Sequence, residues 1–482
     1  MRDNRDHMRI LNKDLLRRRN LLKIIFGGFV GSGAYALGER TAAAADPDPD
    51  PSPPLATQSR FATLSDLRSV EDPHDLADID AVVLNHHADN DRGGGTFRWM
   101  ANSQAADDNA VYIKPDSVAE GQPGRFARVF SGDVNVCWFG ARGDDDIDDS
   151  IAFQAAIDWS EVRGGGVVRV PPGSYICNNV ILKNGVTLSS TAEAYGYSPS
   201  KILGTALRCT HPGYCLDTPE KGVTAAAVSG INFRGGGPNL AAGGIRLQKA
   251  SWCAIKVAQF DNFADEAIVI TSGMACVIED VLTTNVLLNR ARPKLAGAIT
   301  IGGTDHYLNR IEANTSLHAL SGNGSDRTIA AFLIRDANHF ITNCVGEISD
   351  VGFVVQGLYH RFTGCRGDRN FGDGFIIDCK LTTFSSCTAL DNNHDPKAKG
   401  SGFVITGPAN TLSACIAACN RLPSLQLYGF DDHNPIGDVD RDTLYAACRS
   451  SNHQIAAQRC VTVKNQEVTF QDVQSRTGVA VR

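Results

Sequence analysis

Two groups of acidic residues in this chain could do chemistry, and they point to different kinds. The first is the run GARGDDDIDDS at 140–150, with aspartates at 144, 145, 146, 148 and 149. Asp144, Asp146 and Asp148 alternate as the first ligands of an EF-hand calcium loop do. That loop also needs glycine at its sixth position and a bidentate glutamate at its twelfth. Asp149 and Ala155 stand there instead, and the EF-hand reading fails. The second group lies in the other half of the chain: Asp350, Asp373, His394 and Asp395 as acid–base candidates. With them come Arg290, Arg292, Asp326, Arg327, Lys397 and Lys399 as candidate substrate-binding side chains. Carboxyls and a histidine beside both signs of charge suit general acid–base catalysis.

The elements that must position these groups are legible as patterns. Ser150–Ser160 reads SIAFQAAIDWS, where Ile151, Ala155 and Ile157 form a helical apolar stripe. Acidic residues ahead of such a helix satisfy its free N–H groups and favour the positive end of its dipole. The aspartate run is therefore expected to be a loop and helix start rather than an ion site.

Further on, four segments repeat one pattern: an apolar residue, cysteine three later, a polar turn, then an apolar strand. The columns are Ile341, Phe362, Phe384, Leu412; then Cys344, Cys365, Cys387, Cys415; then Ile334, Val355, Ile377, Ile405, Leu427. Leu308 with Ile311, and Ile278 with Val281, extend the first two columns, while Leu247, Ile270 and Ile301 extend the third. Repeats of short strands and polar turns at this period predict a parallel β-solenoid, in which equivalent side chains stack at about 4.8 Å. The stacked cysteines then read as small buried apolar groups that need no pairing. Cys209/Cys215 and Cys448/Cys460 are left as possible disulfides. The repeat lengthens at 286–298, 316–330 and 393–399, always between the second and third columns. The extra residues should project from one edge and could wall a cleft that holds the second group.

The start of the chain predicts export. RRRNLLK at 17–23 precedes a glycine-diluted apolar run and the small residues TAAAA, similar to a twin-arginine signal with Arg18 and Arg19 as the pair and cleavage near Ala45. DPDPDPSPP at 46–54 is an extended tether. The formal charge of −7 becomes −12 once residues 1–45 are removed, which argues against non-specific nucleic-acid binding. The expected location is periplasmic or secreted, with no membrane contact after cleavage.

The stretch VNVCWFGARGDDDIDDSIAFQAAID…GGGVVRVPPGSYIC (134–177) resembles the opening of the pectate-lyase-like right-handed parallel β-helix superfamily, which includes rhamnogalacturonase/epimerase-like domains and polysaccharide depolymerases. Asp145 stands where that pattern has glycine, and Ser150 where it has threonine. The region 58–133 resembles the segment that precedes such helices in phage tailspikes. The resemblance implies an all-β chain: a signal at 1–45, a linker at 46–57, a head at 58–133, the helix with its N-terminal capping α-helix at 134–430, and C-terminal coils at 431–482.

The resemblance also implies a polysaccharide substrate from a bacterial exopolysaccharide or plant cell wall. Hydrolases of this fold use paired carboxylates, whereas its lyases use a basic residue, often with calcium. No cofactor is expected for the hydrolase, and Ca²⁺ for a lyase. The polygalacturonase pattern is only partly present. Asp373 in GDGFII matches the aspartate of its first motif, Asp265 and Glu266 imitate the acidic pair in the wrong order, and its Gly-His-Gly is missing. A C5-epimerase or a non-catalytic glycan-binding helix are the alternatives, and the epimerases' Asp-Pro-His-Glu motif is absent.

Two other stacks raise expectations. His306, His339 and His360 fall in register, although rings about 4.8 Å apart suit tetrahedral metal coordination poorly. Val269, Leu333, Val354, Ile376 and Val404 should face outward, and an apolar stripe of that kind predicts self-association, as in tailspike trimers, unless a loop of the same chain covers it.

Overall fold

The computed structural model describes residues 58–87, 91–190, 204–287, 295–315, 328–394, 399–420, 426–434, 443–451 and the backbone of 456–460. The signal, the tether, Arg290, Arg292, His318, Asp326, Arg327, Asp395 and Lys397 lie outside these residues. None of the described helices is long and apolar enough to cross a membrane.

The first part is a small mixed sheet in the order Gln58–Thr63, Asp80–Asn85, Gly95–Met100, Arg125–Arg128, Tyr112–Ile113. Helix α1 (Leu64–Arg68) packs on it, opened by a reciprocal capping box between Thr63 and Asp66. Arg128 is buried here with its guanidinium on the carbonyls of Gly93, Gly94 and Ala110 and against the rings of Phe97 and Trp138.

From Val134 the chain winds as a right-handed parallel β-helix. One sheet runs strand by strand in chain order from Val180–Ile181 through Gly213–Asp217, Ala242–Leu247, Ile268–Ile270, Leu295–Ile301, Thr328–Ile334, Val351–Leu358, Phe375–Lys380, Phe403–Ile405 and Tyr428–Asp432 to Ala456–Cys460. Most of the other strands form a second, longer parallel sheet, and Val223–Thr224, Ala250–Ser251 and Gly273–Met274 form a short third one. Registers match the first column and most of the third: Ile278, Leu308, Ile341, Phe362, Phe384 and Leu412 are successive partners, as are Leu247, Ile270, Ile301, Ile334, Val355, Ile377 and Ile405. The third column ends differently from expectation. Asp432, not Leu427, partners Ile405. Its buried carboxylate accepts from Tyr445 Oη at 2.9 Å, so a polar group occupies an inward position at no hydrogen-bonding loss. Along the axis, Phe332, Phe353, Phe375, Phe403 and Phe430 stack at 4.6–4.9 Å.

Helix α2 (Ser150–Val162) packs on the first coil through Ala152, Phe153, Ala156 and Ile157, which join the solenoid core. Ile151, expected on the buried stripe, is 84% exposed. The aspartates ahead of α2 are not a helical turn. Asp144–Asp148 is an extended, exposed strand beside Gly173–Ile176. Asp145 pairs with Arg208 at 2.6 Å, Asp148 takes the Ser150 N–H, and the buried Asp149 accepts from the backbone of Arg142 and Gly143. Burial pushes Asp149 up to about 6. Among the described residues no group of three or more His, Cys, Asp or Glu could hold a metal ion.

The thirteen described cysteines are buried and free, Cys209, Cys215 and Cys448 included. Cys209/Cys215 is therefore not a disulfide, and Cys448 continues the cysteine column: its Sγ faces Leu412 O at 3.3 Å, as Cys415 Sγ faces Phe384 O at 3.5 Å. Stacking at one coil rise holds sulfurs well beyond bonding length. In a thiol titration of the native protein these residues should react slowly. In denaturant at least thirteen thiols should appear without a reductant; fewer would mean disulfides.

The stripe expected to be exposed is largely covered. Val269, Leu333 and Val354 are buried, the last two in a cluster with Ala330 and Val351, while Ile376 and Val404 are half-buried. Coverage within one chain accounts for the stripe, and it offers a second copy little apolar surface.

Candidate functional site

The described parts of the lengthened coils flank one edge, the turn that leads into the Phe-stack sheet. In successive coils this turn ends in Asp373-Gly-Phe, Ser401-Gly-Phe and Tyr428-Gly-Phe. The glycines are required by packing: a Cβ on Gly374 would meet Gly402 O at 2.6 Å, and one on Gly402 would meet Gly429 O at 2.5 Å. Inside the turn Asn370 and Asn392 form a ladder. Asn370 N–H donates to Asn392 Oδ1 at 3.2 Å, and each side-chain amide donates to a glycine carbonyl of the coil before. These bonds fix the backbone on which Asp373 sits.

Asp373 is half-buried, and Ser401 N–H donates to its Oδ1 at 2.6 Å. Burial raises its pKa to about 7; the Ser401 bond lowers it, the Asp431 carboxylate raises it, and His433 lowers it. Asp431 partners Val404, which partners Ile376, so it continues the outward column of the sheet. His433 Nε2 stands 3.2 Å from Asp431 Oδ1, with its side chain 44% exposed. Next to these groups, Ser401 Oγ is buried without a hydrogen-bond partner. The arrangement places a carboxyl that holds its proton near neutral pH two coils from a carboxylate paired with an imidazole.

The sequence candidates are partly brought together. Asp350 lies one coil before Gly372, whose N–H donates to Asp350 O at 2.8 Å, and its Oδ2 accepts from Ile329 N–H at 3.0 Å. His394 is half-buried, edge-on to Phe371 at 6.5 Å, and Lys399 is exposed on the same edge. Burial and the Ser401 hydrogen bond act most on Asp373, and the charged neighbours that act on it are Asp431 and His433 rather than Asp350 or His394. Those two were missed because the last column was aligned on Leu427. The recurring Gly-Phe pair at 352–353, 374–375, 402–403 and 429–430 gives the true register. Asp265 and Glu266 lie on this edge but four coils from Asp373, about 19 Å along the axis, where Glu266 accepts from Tyr214 Oη at 3.2 Å.

The three stacked histidines are buried inside the coil at 0–1% exposure. Their rings are parallel at 5.1 Å. His306 Nδ1 accepts from Cys276 N–H, His339 Nδ1 from His306 N–H, and His360 Nδ1 from His339 N–H, at 3.0–3.3 Å. Each Nε2 lies 2.8–2.9 Å from the carbonyl four residues earlier, and so carries the proton. Thr382 and Asn410 continue the same ladder. With both nitrogens used, the stack is a backbone support, not a metal or substrate site.

Two family models match the chain. Residues 60–131 match the small four-stranded β-sheet domain of phage tail proteins. Residues 134–197 match the rhamnogalacturonase A/epimerase, pectate lyase-like family. The fold is that of the pectate-lyase-like parallel β-helix proteins. The β-helix is similar to the enzymatically active domain of bacteriophage CBA120 tailspike protein 2, with a TM-score of 0.60 and 13% identity over 82% of this chain and 57% of that one. It is also similar to a tailspike of E. coli bacteriophage HK620 solved with a pentasaccharide, with a TM-score of 0.55 and 11% identity over 74% and 69% of the two chains. The mannuronan C5-epimerase AlgE6 of Azotobacter vinelandii is 56% identical over 43 residues, 9% of this chain and 5% of that protein. The matched part is thus a small fraction of that curated relative.

Proposed function

We propose that the protein is a polysaccharide-degrading enzyme that hydrolyses a glycosidic bond, with Asp373 as general acid and Asp431, paired with His433, as the carboxylate partner. The observation that carries this reading is the grouping on one edge of Asp373, raised by burial to about 7, with the Asp431 carboxylate, whose Oδ1 lies 3.2 Å from His433 Nε2. Their backbones are offset by two coils, about 10 Å along the axis, and by three residues along the strand, so the pair is spaced more widely than the roughly 5 Å of a retaining pair. The likeness to tailspikes supports a polymer substrate. Twin-arginine export would place the enzyme outside the cytoplasm, where such polymers are found.

The test is incubation with a panel of bacterial exopolysaccharides and plant cell-wall polymers. New reducing ends without absorbance near 232 nm identify a hydrolase; the absorbance together with new ends identifies a lyase and overturns the assignment of Asp373 as acid to a glycosidic oxygen. Neither signal on any polymer overturns the enzyme reading.

A further inference from the structure

On the other flank of the same turn, in the longer sheet, lies a second group that the proposed reaction does not use. Glu347 and Asp368 are register partners on adjacent coils, and Arg366 partners Val345, which in turn partners Glu312. The side chains of Glu347 and Asp368 are only 7% and 8% exposed. Arg369 Nη2 sits on Glu347 Oε2. Asp368 is served less well. Its Oδ2 is 3.5 Å from Arg366 Nε and 3.5 Å from Arg369 Nε, and its Oδ1 is buried with no hydrogen-bond partner. A charge-assisted bond to a guanidinium is normally about 2.7–2.9 Å. A buried carboxylate left with one unbonded oxygen is costly, and native proteins rarely keep one without a reason.

We propose that Asp368 anchors a sugar-binding subsite: its free Oδ1 accepts a hydroxyl of a neutral sugar unit while Arg366 and Arg369 donate to neighbouring oxygens. Three observations define the ligand class. Glu347 and Asp368 are matched by the two guanidiniums, Asp391 adds a further acidic neighbour, and Glu312 is held toward its neutral form by burial and by Glu347. A site with no surplus of positive charge favours a neutral ligand over an anionic one. The missing partner is a donor, and a hydroxyl supplies one without adding charge. Beyond Asp368 the row continues with Leu390 and Ala418, an apolar ledge for the C–H face of a ring. The guanidiniums are about half exposed and make only long contacts to Asp368 Oδ2, so one can swing aside at little loss and open the buried Oδ1 to a hydroxyl. The subsite extends the polysaccharide reading: a chain cut beside Asp373 would cross the 369–372 turn and rest here.

The test is saturation-transfer NMR of the full chain with four free sugars: glucose, galactose, rhamnose and N-acetylglucosamine. At least one should give saturable binding to the wild type and to Asp373→Asn. Binding should weaken about tenfold or more in Asp368→Asn and in Arg366→Ala. Asp368→Asn should leave the melting temperature unchanged or raised, since it removes an under-bonded buried charge. No saturable binding to the wild type, undiminished binding to Asp368→Asn, or a lowered melting temperature for that variant would each overturn the subsite. Sugar binding without cleavage of any polymer would remove the proposed hydrolysis alone.

Discussion

On the proposed reading, Asp373→Asn should abolish most turnover on whichever polymer is cleaved, by about 10²–10⁴-fold, the usual contribution of a positioned general acid. The asparagine keeps the shape and the acceptor for Ser401 N–H but carries no transferable proton. KM should change little, because the loss falls on the step in which the leaving oxygen is protonated. The pH profile carries a sign of its own. The acid works protonated, and with Asp373 raised to about 7 turnover falls as pH rises through that value. In Asp431→Asn the alkaline limb should move down, since removing a neighbouring negative charge lowers the pKa of Asp373. An alkaline limb that stays in place in that variant, or full activity in Asp373→Asn, removes the pair from the mechanism.

The second large effect is structural. His339→Ala should lower the free energy of unfolding by about 3–5 kcal/mol, combining a cavity left by a buried ring with two orphaned backbone groups. His306 N–H loses its acceptor and Arg335 C=O its donor, and the stacks on both sides are broken. His339→Asn should recover much of this, because Asn410 already fills the equivalent place with a carbonyl toward Thr382 N–H and an amide toward Cys379 O and Gly407 O. Urea unfolding of the three proteins measures the difference, and equal losses in both variants would remove the ladder argument.

The pH dependence of that difference follows from burial. His306 is depressed to about 4 and His339 to about 3, from an ordinary 6.5. The unfolded chain therefore binds more protons in that window, and the stability is complete above about pH 6.5 and lost as pH falls toward 4. Asp373 and Asp149, raised to about 7 and 6, act in the opposite sense over a similar range. Comparing wild type with His339→Asn separates the histidine contribution, and the gap between them should narrow as pH falls from 6.5 to 4.

Architecture was far more legible in the sequence than the site. Column spacing is imposed by stacking, so Ile341, Phe362, Phe384 and Leu412 had to share a register, and they do. The cysteines were read as packing groups for the same reason, and the structure agrees. Site residues have no such period. Asp431 was hidden because an inward aspartate, Asp432, broke the apolar column and moved the apparent register to Leu427. Asp368 was hidden by its neighbours, since Arg-Gly-Asp-Arg at 366–369 reads as a solvated turn until the coil shows that the carboxylate is buried. The histidine stack is the opposite case: the spacing already argued against a metal, and the partner proves to be the backbone itself. Periodicity reports which residues stack; it does not report whether a polar side chain looks into the coil or out of it.

The coil rise has one more consequence. Every group on this surface is bolted to the same ladder, so distances between them along the axis come in whole steps of about 4.8 Å. The molecule is a ruler with fixed graduations. On the proposed reading, the axial offset of Asp373 from Asp431 is two graduations, and changing it would require inserting or deleting a whole coil, not changing a side chain.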